Sequence, residues 1–143
     1  SSGYVVGGNG SAAPIIGVLN GIFYNDASTL KPTFANFYKA TITPANSEDT
    51  TAFVIDDPFQ LYVVAADTAT GVATFLETYD MNSSAGSDTT GKSSSTLAIG
   101  TTSANDKQFR MLRSAEDPEN EDATAVRHSV IVVSNQNSFN GHN

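Results

Sequence analysis

The sequence predicts an all-β protein, a small β-barrel or sandwich of about six to eight short strands with a flexible N-terminal arm. Two observations carry this expectation. Short apolar segments rich in Val, Ile, Phe and Tyr alternate with stretches dominated by Ser, Thr, Asn and Gly, and few segments show a helical period. The chain has 143 residues, 39% of them hydrophobic, which suits one domain with a core of its own.

Residues 1–14, "SSGYVVGGNGSAAP", offer only Tyr4, Val5 and Val6 as sizeable apolar groups and read as an extended arm; residues 15–143 read as a single β domain. The chain opens on Ser-Ser-Gly with neither Met nor a basic-then-apolar leader, as a processed product or the ordered part of a longer chain would. "IIGVLNGIFY" (15–24) is β-branched and aromatic, and Gly17 and Gly21 argue for a strand bulged or bent at a glycine. A loop with Asn25-Asp26 and Pro32 comes next, and the alternation in "NFYKATIT" (36–43) predicts a half-buried strand.

"TTAFVI" and "FQLYVVAA" read as two strands on either side of Asp56-Asp57-Pro58, with Phe53, Ile55, Phe59, Leu61 and Val63 as core candidates. "TGVATFLETYDM" (70–81) suits either a short helix or two short strands. The Ser/Thr/Gly-rich run 82–96 reads as an exposed loop, and "LAIG" (97–100) as a short buried element. "KQFRMLRS" (107–114) predicts a strand with one wet face, "AEDPENED" an acidic loop, and "AVRHSVIVVSN" (125–135) the strongest strand of the chain. The tail "QNSFNGHN" reads as a free end.

Charge and composition narrow the function. Fifteen Asp and Glu against seven Lys and Arg leave a net charge of -8, which repels phosphate backbones and anionic membrane surfaces. No nucleic acid and no membrane is therefore expected as a partner. The absence of cysteine excludes disulfides, thiol catalysis and Cys-ligated metals. No apolar run approaches the length of a transmembrane helix.

The chemical candidates each meet a structural objection. Asp56 and Asp57 are neighbours in an extended segment, so their carboxylates point apart and cannot converge on one ion or substrate atom. His128 alternates with Val126 and Val130, on a strand face, and no "GxSxG" elbow surrounds a serine; His142 lies in the tail. "DMNSSAG" (80–86) resembles the start of a calcium loop, but its glycine falls one place late and Gly91 stands where the last ligand belongs. The acidic group Glu116, Asp117, Glu119, Glu121 and Asp122 reads as a solvated loop. "GSDTTGKS" (86–93) has the letters of a P-loop, yet the β-branched "SSSTLAIGTT" directly after it is a poor helix. No catalytic residue, cofactor or metal ligand is expected, and the chain does not read as an enzyme.

With the strands laid out, "GVLNGIFYND" (17–26), "KPTFANFY" (31–38), "DDPFQLYVV" (56–64), "DPEN" (117–120) and the strand about Val130 to Val133 together resemble a group of small virion structural proteins of marine tailed phages. Ile22 stands where that group commonly has cysteine, and Asp117 precedes Pro118 where arginine is common. The resemblance implies a capsid decoration or cement protein on the outer surface of the virion. Its implied partner is the major capsid protein, and it implies a homo-oligomer, with trimers at threefold positions. The arm residues Tyr4, Val5, Val6 and Pro14 are the candidate capsid-binding residues, because an extended segment can add a strand to an exposed sheet edge. A receptor- or carbohydrate-binding module on the head or tail, with exposed Tyr and the Asn-rich segment 135–143 lining a shallow site, is the alternative.

Overall fold

A computed structural model describes residues 14–39, 41–100, 107–120 and 122–136. Nine strands run through them: β1 Val18–Asn25, β2 Pro32–Ala35, β3 Thr51–Ile55, β4 Leu61–Ala65, β5 Thr78–Tyr79, β6 Met81–Asn82, β7 Thr96–Leu97, β8 Phe109–Ser114 and β9 Ser129–Ser134. They form three open sheets, of order β2-β1-β3, β4-β9-β8-β5 and β6-β7. The only helical elements among the described residues are two single 3-10 turns, Ala45–Ser47 and Val72–Thr74. The chain is therefore all-β, and its sheets are open.

In the four-stranded sheet, β9 is central because its run of Val and Ile tolerates burial on one face and pairing on both edges. Val130 and Val132 point inward with Met111 and Phe109 of β8, Tyr79 of β5 and the half-buried Tyr62 and Val64 of β4. Leu97, Ile99 and Ala66, the residue directly after β4, belong to the same buried cluster. They are held there by a parallel bridge between Ala66 and Leu97, by Asp67 N–H donating to Leu97 O at 3.0 Å, and by Ile99 N–H donating to the Asp67 carboxylate at 2.9 Å. The two-stranded β6-β7 sheet is thus bonded to the end of β4, and Leu97 enters the same core.

Parity decides the fate of β4. Tyr62 pairs with Val132 and Val64 with Val130, so both face the core, whereas Leu61 and Val63 pair with Val133 and Ile131 on the outer face. Four of the core candidates on either side of Asp56-Asp57-Pro58 are accordingly exposed: Phe53 45%, Phe59 79%, Leu61 52% and Val63 66%. Alternation in an apolar strand defines two faces, and only the second layer selects between them.

The three-stranded sheet is built differently. β2 and β3 both run antiparallel to β1 and are therefore parallel to each other, so the connection 36–50 crosses one face of the sheet. Ile22, paired with Ala35 and Ala52, is 2% exposed, which identifies its face as the covered one. Ala27 N–H donates to Thr43 O at 3.0 Å and Asp26 bridges Pro44, pinning the crossover to the end of β1. The described residues of 36–43 are consequently part of a crossover and not a strand, and Phe37 lies against Gly91. The paired element is Pro32–Ala35, whose proline is tolerated at the start of an edge strand.

The expected glycine irregularity in β1 is present as a register shift between Leu19 and Gly21 against β3. At Gly17 a Cβ would collide with the Ile55 carbonyl oxygen, so the close approach of the two backbones requires glycine. Residues 70–81 form a 3-10 turn and then the short strands β5 and β6, and β8 and β9 occupy the interiors of the segments predicted for them.

Candidate functional site

Tyr4, Val5 and Val6 lie outside the described residues, as do Glu121 and His142. Pro14 is exposed, and the next residue, Ile15, packs against the core cluster while its N–H donates to Gln136 O at 3.1 Å. Ile15 therefore sits beside the end of β9.

Asp56 and Asp57 stand at the corner where the chain passes from β3 in one sheet to β4 in another. The Asp57 carboxylate accepts the Phe59 N–H at 2.9 Å, and its carbonyl accepts the Gln60 N–H at 3.2 Å. That is a turn-forming role. Both carboxylates are exposed, and after partial burial they are the further influences, Asp57 before Asp56, that hold the Tyr62 hydroxyl above its ordinary range.

His128 is fully buried just before β9. The Ala125 carbonyl, 3.2 Å from Nδ1, can only accept, so Nδ1 donates to it, and Nε2 shares a hydrogen bond with the Thr70 hydroxyl at 2.6 Å. With Thr70 N–H donating to Ala123 O at 2.9 Å, the ring ties the loop after β4 to the loop before β9. Val126, expected on the same face, is exposed because residues 125–128 precede the strand. Both ring nitrogens are occupied by structural hydrogen bonds.

The P-loop letters fold into a closed turn: Gly91 N–H donates to Ser87 O at 2.8 Å and Ser87 N–H to Lys92 O at 2.9 Å. The next element along the chain is the strand β7, so among the described residues no helix follows this turn as a P-loop requires. Gly91 has a φ of 70 and lies against the Phe37 ring, which leaves no room for a Cβ. In the acidic loop, Asp117 accepts from Glu119 N–H at 3.1 Å and Asp122 from Thr124 N–H at 2.9 Å, again as turn formers. The Asp122 carboxyl lies below its ordinary range, first because of the Thr124 hydroxyl. Among the described residues no three His, Asp or Glu side chains converge as a metal site would require.

The most distinctive surface is the uncovered face of the three-stranded sheet. Phe34 pairs with Phe23, and Phe53 pairs with Gly21, which places these aromatics on the face opposite Ile22. Val18 joins them beyond the bulge, paired with Ile55. All four are exposed, Phe34 at 62%. The Phe34 and Phe53 rings meet across Gly21 with centroids 5.9 Å apart, and a Cβ on residue 21 would stand 2.6 Å from Phe34 Cζ. Glycine here lets two aromatic side chains from the outer strands touch over the middle one. The strands themselves, "VLNGIFYN", "PTFA" and "TAFVI", contain no charged residue. That absence, with a glycine set between aromatic strands, is the signal by which the surface could have been found in the sequence.

At one end of the same sheet lies an open cleft of about 500 Å³ lined by Tyr24, Asp26, Ser28, Lys39, Thr41 and Thr43. The Asp26 carboxyl is held below its ordinary range, first by the Ser28 hydroxyl, then by the backbone N–H groups of Thr29 and Ser28. Tyr24 shares the parity of Ile22, so the cleft opens on the side away from the aromatic face.

Comparison with protein-family models, curated proteins and solved structures finds no match for this chain.

Proposed function

We propose that this chain is a virion structural protein, a capsid decoration or cement protein that binds the major capsid protein lattice on the outer surface of a phage head and stabilises it. The segments that resemble small virion proteins of marine tailed phages are the ones that build β1, β2, the corner before β4 and the strand β9. The observation that carries the reading is the aromatic, charge-free sheet face on an otherwise strongly acidic protein. An apolar patch rimmed by polar groups is characteristic of a docking surface. A repeating lattice makes modest individual contacts sufficient through multivalency.

In this reading the arm, through Tyr4, Val5, Val6 and Pro14, adds a strand to an exposed capsid edge, and trimers sit at threefold positions. The test is cosedimentation of purified protein with expanded heads that lack it. Stoichiometric, saturable binding is expected, weakened by removal of residues 1–14. Failure of the intact chain to bind would end the capsid reading; undiminished binding by the shortened chain would end the role of the arm.

The cleft beside Asp26 favours a second reading, a carbohydrate- or receptor-binding module, because hydroxyl, carboxylate and ammonium groups there could hydrogen-bond a sugar. Such a module binds host glycans as an isolated protein. Binding to a glycan array that is lost in Asp26→Ala would favour it over the capsid reading.

A further inference from the structure

We infer that the Val18, Phe23, Phe34 and Phe53 face docks onto an apolar patch of the capsid subunit that is framed by Lys or Arg, as a contact separate from the arm. The inference rests on the capsid reading and adds to it the chemistry of the surface that the β body meets. Charge selects the occupant. The strands of the sheet are uncharged, but their ends are not. At the end where Asn25 pairs with Pro32 stand Lys31, Glu48 and Asp49, and Glu48 is held there by Asn25 Nδ2 donating to its carboxylate at 2.9 Å. At the other end, where Val18 pairs with Ile55, stand Asp56 and Asp57. With Asp26 set aside because it lines the cleft on the Tyr24 side, an aromatic centre is thus framed by four acidic residues and one basic residue.

Lys39 cannot offset the frame, because it lines the cleft on the Tyr24 side of the sheet, with Nζ 5.2 Å from the Phe37 ring centroid. A second copy seated face to face would bring acidic frame against acidic frame in a chain of net charge -8. A patch with an apolar centre and basic surroundings satisfies both features, burying the aromatics and pairing the frame. Aromatic side chains at the centre of such a contact are where binding energy concentrates.

The experiment is a binding titration of the full-length chain against expanded heads lacking it, read by cosedimentation at low and high salt, with sedimentation velocity on the free protein. The variants are Phe34→Ser with Phe53→Ser, Glu48→Lys with Asp56→Lys, and Val63→Ser as an exposed apolar control on the other sheet. The aromatic pair should lose about tenfold or more in apparent affinity, as removal of interface anchors does. The frame pair should bind more weakly and show a smaller salt dependence, and the control should bind as the unaltered chain does. Circular dichroism and urea unfolding check that each variant is folded; the frame pair tests the proposal even if the aromatic pair does not fold. If the unaltered chain binds heads and both pairs bind equally well, the inference fails while the capsid reading stands. If the unaltered chain does not bind, both fall. If the aromatic pair dissociates an oligomer of the free protein, a second copy covers this face and the inference is overturned.

Discussion

The two larger sheets use the same kinds of residue to opposite ends. In β4-β9-β8-β5, Val, Met, Phe and Tyr on one face pack with Leu97, Ile99 and Ala66 in one cluster, and most of them are fully buried. In β2-β1-β3, the crossover 36–50 covers the Ile22 face, and the opposite face leaves three phenylalanines in water. Hydrophobic side chains stabilise a fold only where a second layer removes them from solvent. The first sheet is thus the stability-bearing half of the protein, and the second displays surface that a partner can use.

That contrast can be broken most forcefully at Leu97, which is fully buried in the cluster built on the four-stranded sheet. Leu97→Ala should cost about 2–5 kcal/mol, measured as a shift in urea unfolding. A cost below about 1 kcal/mol would mean that this cluster contributes little and that the two halves do not differ as described.

Next in size is a pair of glycines in and beside β1. Gly17→Ala drives a methyl into the Ile55 backbone, which cannot yield without parting β1 from β3, so a loss of about 1–3 kcal/mol is expected. Gly21→Ala meets the tip of the Phe34 ring, which can swing outward into solvent. It should cost less than Gly17→Ala, and it should perturb the aromatic face in proton NMR spectra. Equal losses at the two positions would contradict the open setting of Phe34.

A smaller effect is expected at Phe34 itself. Phe34→Ser removes an exposed side chain and one tilted ring contact, so stability should change by no more than about 1 kcal/mol. A large loss would show that something covers this face in the free protein.

The smallest expected effect is electrostatic. In the folded protein the Asp26 carboxyl lies below its ordinary value of 3.8, because hydroxyl and backbone N–H donors favour its charged form. A group so shifted contributes stability above its unfolded pKa and loses it as pH falls through the folded one. Asp26→Asn should therefore lower the urea midpoint slightly at neutral pH and converge with the unaltered chain in acid. A difference independent of pH would assign the effect to something other than this charge.

Much of the molecule was legible in local sequence. Asp56-Asp57-Pro58 reads as a break because proline and a side-chain acceptor both favour a turn, and the turn joins two sheets. The bulge next to Gly21 and the strands β8 and β9 reflect glycine's freedom and β-branched runs. The segment 36–43 was misleading because alternation marks a surface half in contact with protein, whether it is paired or merely laid across a sheet. The aromatic face was hidden for a related reason, since Phe53 looks like a core residue until its strand is placed.

Backbone preference and charge counts are properties of the linear chain, and they set the strand-rich class, the corner, the glycine positions and the acidic, cysteine-free surface. Which face of each strand meets a second layer was settled only by packing. Packing also made His128 a buried tie between two loops and brought Phe34 and Phe53 together over Gly21. The period of a strand is a local property, whereas burial depends on what distant segments are brought over it.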